Sequence, residues 1–379
     1  MEIRYEVVPS TISSRNIVRV ALDFEKTLNS LTFEMLSDLR AKLLEWHGDP
    51  EISAVFLEGS RDKAFSAGGN VKKLRSEILS TQKDITLKEK FAFRFFLLEY
   101  STDFLIYQYR KPIIAWTHGI TMGGGLGLMQ GAPFRFATPE TQMAMPEIFI
   151  GLYPDVGASL FLNKMKIPGL GLFMALTGTK LQGRDNLLSG LATHFEANSN
   201  RDDFFNALLE VDFGQNPQIV QKQFQGESND SVLKPDVLQR LKEWDKAESI
   251  FDLISDWGSH YSLLSDWEKD SIDNLKMGSP LSLRVTFQRM KEAQRLVDTQ
   301  NFDVIDFFEK DLAMSTQFAE RSDFIEGVRA RLIDKDNQPT WCFPRLEDIE
   351  HEDLDFYFQN PFNGETPLRE EVKKLGIII

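Results

Sequence analysis

The chain has one cysteine, Cys342, in 379 residues. That excludes an internal disulfide framework and any cysteine-rich metal site. Histidine is scarce too. His47, His118, His194, His260 and His351 are widely spaced and form no pair at helical spacing, so no metal is expected. Basic side chains are in deficit, 43 against 57 acidic ones, giving a net charge of −14. A field of that sign disfavours general binding to nucleic acid or to an anionic membrane, yet it leaves room for a local basic patch around a phosphorylated ligand. The most apolar stretch, residues 112–132, contains His118, Thr121, Gln130 and six glycines and is flanked by Pro112 and Pro133. It reads as a buried strand followed by a short helix, not as a membrane span. Residues 1–6 lack the apolar core of a signal peptide and the arginine-rich bias of a transit peptide, so a cytoplasmic protein is expected.

Several catalytic signatures are also missing. No Gly-x-Ser-x-Gly elbow, Gly-x-x-x-x-Gly-Lys-Ser/Thr loop or Gly-x-Gly-x-x-Gly fingerprint occurs. The first absence disfavours an α/β-hydrolase, and the others a P-loop NTPase or a dinucleotide-binding dehydrogenase.

The first half instead shows a strand–helix alternation. Residues 17–22, 52–57, 112–116, 134–137 and 142–145 read as strands. Residues 31–46, 71–78, 91–109 and 122–131 read as helices, the first capped by Ser30 or Thr32. Such repetition implies an α/β layered domain over residues 1–200. From about Arg201 strand signals fade, and 201–211, 231–257, 261–276 and 280–318 look helical, which makes residues 201–379 a mainly helical C-terminal region. Residues 214–230 read as an exposed loop and the acid-rich 348–359 as a surface element.

Three segments could carry chemistry. Lys63-Ala64-Phe65-Ser66-Ala67-Gly68-Gly69-Asn70 joins a strand to a helix. It is either a tight loop capped by Asn70 or a backbone that offers N–H groups to a ligand at a helix start. The run Gly123-Gly124-Gly125 opens a helix, at a cost of about 1 kcal/mol per glycine relative to alanine, and so requires a reason. Close packing against a neighbour is one; an N–H aimed at a developing oxyanion is the other. In residues 144–157, Glu147 and Asp155 stand in apolar sequence. They are exposed loop acids, with Asp155 capping a helix, or buried carboxyls with raised pKa values suited to acid/base work.

Taken together, Ala64-Phe-Ser-Ala-Gly-Gly-Asn70, the triple glycine and Met145-Pro-Glu147 resemble the enoyl-CoA hydratase/isomerase, or crotonase, superfamily. Within it, the stretches 118–127 and 145–157 look like the 3-hydroxyisobutyryl-CoA hydrolase branch, and the likeness continues through 175–185, 192–195, 280–284 and 323–336. The resemblance implies a crotonase (ClpP-like) spiral of ββα turns with a helical C-terminal region. It implies an oxyanion hole from the N–H groups of Gly69 and Gly124, and CoA contacts at Lys63, Ala64, Phe65 and Ala67. Arg61, Lys72, Lys73 and Arg75 flank that motif as a possible basic collar. Hydratases of the superfamily carry a glutamate where this chain has Gly127; their second glutamate matches Glu147. The hydrolase branch shares that glycine, a Pro-Asp matched by Pro154-Asp155 and a Glu-Tyr matched by Glu99-Tyr100. The implied activity is hydrolysis of an acyl-CoA thioester, 3-hydroxyisobutyryl-CoA to 3-hydroxyisobutyrate and CoA in valine catabolism. Glu147 would be nucleophile or general base, Asp155 an orienting or proton-transferring group, and Glu99 a third group at the acyl end. The implied partner is the acyl-CoA substrate, with no resident cofactor and a possible homo-oligomer. Hydration or isomerisation by Glu147 alone, and silent binding of a CoA ester, are the rival readings. Two departures from the branch are Asn70 in place of aspartate and Ala158 in place of a second glycine.

Overall fold

A computed structural model describes residues 2–81, 85–213 and 231–377. The segment read above as a loop at 214–230 lies outside the described residues.

Among the described residues, ten strands form two sheets. They are β1 (Ile3–Pro9), β2 (Asn16–Leu22), β3 (Ile52–Gly59), β4 (Ala64–Ser66), β5 (Ile113–Thr117), β6 (Ile120–Met122), β7 (Phe134–Ala137), β8 (Gln142–Ala144), β9 (Leu181–Gln182) and β10 (His194–Phe195). The larger sheet has the order β1-β2-β3-β5-β7-β10 and the smaller one β4-β6-β8-β9. All neighbours are parallel except β1–β2 and β8–β9. The rule of assembly is visible in the order. Each pass of the chain gives one strand to the large sheet and the next to the small one, then turns into a helix: β3 and β4 precede Val71–Ser80, and β5 and β6 precede Gly124–Gln130. The ββα spiral implied by the resemblance is therefore realised.

The predicted elements of the first half fall close to their expected places, and Thr32 is the cap of Phe33–Gly48, accepting from the Met35 N–H at 3.1 Å. β3 and β5 are buried along their whole length, as expected for parallel strands covered on both faces. One face packs Val18, Val20, Val55 and Leu57 into the main apolar cluster, which runs from Ile3 to Ile377. The other face places Phe56 and Trp116 against Phe205, Leu208 and Phe213, from the Arg201–Leu208 helix and its extension.

Beyond residue 230 the chain is helical. Pro235–Lys246 and Ile250–Ser259 dock through Trp244 and Trp257 onto Phe173, with ring centroids 4.8 and 5.4 Å away. Pro280–Thr299 and Val304–Ala319 pack against the first-half helices Ala158–Asn163 and Phe91–Tyr107 respectively. The acid-rich tail segment is a surface helix, His351–Phe358, that exposes Glu352 and Asp355 and docks through Leu354 and Tyr357. No helix among the described residues is long and apolar enough to cross a membrane.

Candidate active site

β4, β6 and β8 are parallel neighbours, so the chain leaves all three at the same edge of the small sheet. The segments that leave the three strands at this edge build the site. After β4 come Ala67-Gly68-Gly69 and a helix capped by Asn70, whose side chain accepts from the Lys73 N–H. After β6 comes Gly123-Gly124-Gly125, and after β8 comes Pro146-Glu147. Three stretches far apart in sequence thus converge because their strands are consecutive in the sheet.

The glycines serve two ends. A Cβ at Gly125 would run into Ser66, and one at Gly127 into Asp103 and Val156; these two permit close packing of the short helix. The preceding pair faces carboxyls. Gly123 has φ +52, and a Cβ there would lie 2.6 Å from Glu147 Oε1; one on Gly124 would collide with Glu99 Oε1. A Cβ on Gly124 would also lie 3.3 Å from the Gly69 nitrogen, so the two glycines stand side by side. Gly124 is the first residue of its helix, so its N–H has no partner four residues back. Neither it nor the Gly69 N–H donates to another described residue. Two unengaged backbone donors beside each other are the geometry that an oxyanion requires.

Opposite them are the acids. Glu99, on the buried Phe91–Tyr107 helix, Glu147 and Asp155 are all nearly inaccessible. Burial, followed by the charge of Asp155, holds the Glu99 and Glu147 carboxyls well above the usual carboxylate range. Asp155 differs: burial pushes it up to about 7, but a hydrogen bond from the Tyr100 hydroxyl at 2.6 Å and a backbone N–H work the other way. Of the three, Asp155 is the one whose charged form is steadied by a side-chain hydrogen bond. Its side chain bonds to Tyr100 and does not cap the helix after it; only its carbonyl does, accepting from the Ala158 N–H at 2.8 Å.

These groups line a cavity of about 480 Å³ that holds Ala67, Gly69, Gly124, Glu99, Glu147 and Asp155, walled on the apolar side by Leu74, Phe95 and Phe149. That volume suits a small acyl group with part of its carrier. Leu332, Asn337 and Arg331 close another side. The Arg331 guanidinium lies 4.8 Å over the Phe149 ring and donates to Asn337 Oδ1 at 2.7 Å.

Of the residues singled out in the sequence, the structure brings together Gly69, Gly124, Glu147, Asp155, Glu99 and Ala67. It does not bring Lys63, Ala64 and Phe65 to the cavity. Ala64 and Phe65 are buried in β4, and the exposed Lys63 ammonium is 3.7 Å from Glu25. The basic collar is engaged elsewhere as well: Arg61 pairs with Glu25, Lys73 with Glu77, and Arg75 donates to the Ile325 carbonyl. Sequence reasoning misses Arg331, Asp103 and the residues behind Tyr100. Asp103 is findable, since four residues after Glu99 places it on the same helix face.

A profile of the enoyl-CoA hydratase/isomerase family matches residues 17–358. The chain belongs to that family. It is 34% identical over 350 residues to the mitochondrial 3-hydroxyisobutyryl-CoA hydrolase of Danio rerio, covering 90% of this chain and 86% of that one. It is 31% identical over 386 residues to 3-hydroxyisobutyryl-CoA hydrolase 1 of Arabidopsis thaliana, covering 97% and 96%. Among solved structures, an enoyl-CoA hydratase from Rhodobacter sphaeroides 2.4.1 superposes with a TM-score of 0.80 at 25% identity, over 95% of this chain and 98% of that one. A carnitinyl-CoA dehydratase from Mycobacterium thermoresistibile gives 0.78 at 27% identity, over 95% and 99%. The crotonase fold with a helical C-terminal region is thus shared along nearly the whole chain.

Proposed function

We propose that this chain hydrolyses acyl-CoA thioesters, with 3-hydroxyisobutyryl-CoA as its substrate, releasing 3-hydroxyisobutyrate and CoA as a step of valine catabolism. One observation carries the choice of hydrolysis over hydration. The cavity sets Glu147 opposite the paired glycine N–H groups, while position 127, where the resemblance puts a hydratase's other glutamate, is a glycine closed off by Asp103 and Val156. The relatives named as hydrolases support the same reading.

In this mechanism the thioester carbonyl oxygen enters between the Gly69 and Gly124 N–H groups. Asp155, whose charge Tyr100 steadies, takes the proton from Glu147 as the ester binds. The Glu147 carboxylate then attacks the carbonyl carbon, or takes a proton from water that attacks it. Charge gathers on the carbonyl oxygen, where the two N–H groups stabilise it without reorganising. The C–S bond breaks and the thiolate leaves, protonated by the buried acids. Water supplies the oxygen of the new carboxylic acid, either directly or by hydrolysing a Glu147 anhydride, so the balance needs no resident cofactor. Glu99 meets the acyl hydroxyl.

Incubation with 3-hydroxyisobutyryl-CoA and crotonyl-CoA tests the proposal. Release of free thiol from the former is expected, and its loss in Glu147→Gln with CoA-ester binding retained. Loss of enoyl absorbance from crotonyl-CoA without thiol release from either ester would overturn it in favour of hydration.

A further inference from the structure

Behind Asp155 lies a chain of hydroxyls with no solvent contact. Tyr100 Oη is 2.6 Å from Asp155 Oδ2 and 2.6 Å from Ser315 Oγ. Ser315 Oγ is 3.1 Å from Tyr153 Oη, which is itself 3.0 Å from the Asp311 backbone carbonyl. Tyr100, Tyr153 and Ser315 are all buried completely. The far end is anchored. The Asp311 carboxylate accepts from the Gly157 N–H at 2.8 Å and lies 3.5 Å from the buried Arg289 guanidinium. The helix Val304–Ala319 therefore grips the segment that bears Asp155 twice, once through a backbone N–H and once through hydroxyls.

Each hydroxyl has one proton to give, so the chain has a direction. With Asp155 charged, Tyr100 donates to it, Ser315 donates to Tyr100, and Tyr153 donates to the Asp311 carbonyl. With Asp155 protonated, the first two arrows reverse: Asp155 donates to Tyr100, Tyr100 to Ser315 and Ser315 to Tyr153, which still donates to the Asp311 carbonyl. Both networks are complete and neither strands a buried donor. The Asp311 carbonyl is what makes the second one close, since it is an acceptor that no protonation state removes.

We propose that Ser315, acting through Tyr100, is a positioning residue for Asp155: it fixes Oδ2 in place and lets the carboxyl gain or lose a proton without leaving a buried polar group unpaired. The proposal builds on Asp155 belonging to the hydrolytic site described above. A proton leaving Asp155 goes to the thiolate or to Glu147; only the hydroxyl orientations change along the chain, so no net proton crosses it. The groups that face Asp155 are Glu99 and Tyr100, with Asp103 a turn further along the same helix, Glu147 and Tyr153 from its own segment, and Asp311 with Arg289 behind it from the two C-terminal helices. Asp311 opposes its charge, and the Arg289 guanidinium lies against Asp311.

The test is the pH at which Asp155 loses its proton, read without turnover from the carboxyl infrared band of the full-length protein carrying ¹³C-labelled aspartate and assigned by Asp155→Asn. Ser315→Ala leaves the Tyr100 proton without an acceptor when Asp155 is protonated, which penalises that form and should lower the midpoint by about half to one pH unit. Tyr100→Phe, which removes the donor to the charged carboxylate, should instead raise it, and Ser315→Thr, which keeps a hydroxyl, should restore it. The low-pH limb of kcat for ester hydrolysis should move with the midpoint. A merely structural role for Ser315 would lower the melting temperature and leave the midpoint where it was, and that result overturns the proposal. Should Ser315→Ala fail to fold, Tyr153→Phe breaks the chain one link further out. It should give a smaller shift of the same sign; an unmoved midpoint there also counts against the proposal. A wild-type protein that releases no thiol from any ester would remove the functional reading, while the midpoint measurement would still decide the role of Ser315.

Discussion

The carboxyl of Asp103 fills the space that a side chain on Gly127 would need: a Cβ there would lie 2.6 Å from Asp103 Oδ2 and 2.8 Å from Val156 Cβ. One position is thus vacant because another residue, on a different helix, has moved in. Gly127→Ala overpacks this junction and should cost about 1–3 kcal/mol of stability, read from the urea midpoint. Pairing it with Asp103→Ala should recover part of the loss. A Gly127→Ala protein as stable as its parent would contradict the packing described. The same crowding predicts that Gly127→Glu does not create a hydratase.

Gly124→Ala tests the oxyanion site. The added methyl group meets Glu99 Oε1 beside the two N–H groups. Thiol-release kcat/KM should drop on the order of a hundredfold, the scale of losing one preorganised donor, while the fold remains. Circular dichroism with steady-state kinetics checks this, and an unimpaired enzyme would remove Gly124 from the site.

The buried acids set a pH dependence of stability. The folded pKa of Asp155, about 7, lies above its unfolded value near 3.9, so the folded state keeps a proton that the unfolded chain releases between these limits. The associated stability is full below about pH 4 and is lost as pH rises through 7, a difference of about 4 kcal/mol. Asp103, Glu99 and Glu147, raised by burial and then by neighbouring carboxyls, Asp155 among them in each case, extend the loss to higher pH. Asp103→Asn removes one of these acids. Relative to the parent, it should be more favourable at pH 8 than at pH 5.5 when urea midpoints are compared. Equal differences at both pH values would show that Asp103 carries no raised pKa.

Among the described residues lining the cavity, Arg331 alone is cationic. Replacing it by methionine keeps its contact over Phe149 and removes its charge. KM for CoA esters should rise about tenfold or less with kcat nearly unchanged, and wild-type KM should itself rise with salt. A KM insensitive to the substitution would place the substrate's anionic part elsewhere.

The helices Pro235–Lys246 and Ile250–Ser259 should be integral to stability. Trp244 is buried against Phe173 and Trp257, and Trp244→Ala should cost about 3–5 kcal/mol in a denaturant titration. A change below about 1 kcal/mol would mean that this layer docks loosely.

Much of the fold and of the site is legible in the residues alone. Parallel strands such as 52–57 and 112–116 announce themselves because burial on both faces leaves Ser53 as the one polar position in the two runs. Glu147 and Asp155 stand out as charges in apolar sequence, and the glycine run as a cost in need of a cause; Glu99 comes from the resemblance alone. The three-residue strands β4 and β6 escape, being too short for any period to show. Ser315 and Asp311 are invisible for a different reason. A serine and an aspartate in an ordinary helix carry no mark of what they face, and their partners lie more than 150 residues away. The CoA contacts expected at Lys63, Ala64 and Phe65 rest on motif position, which does not reveal that a strand's backbone is already committed to its neighbours.

The hold of Val304–Ala319 on Gly157 and Tyr100, and the closure of the cavity by Arg331, Leu332 and Asn337, also bear on the order in which a growing chain matures. The spiral that carries Glu147 leaves the ribosome well before the helices that steady Asp155. A nascent chain halted before residue 311 would have its glycine cradle and its reactive acid, but neither the wall of Arg331, Leu332 and Asn337 nor the brace behind Asp155. Competence arrives only when synthesis is nearly done, so an unfinished polypeptide has no working means of consuming cellular thioesters.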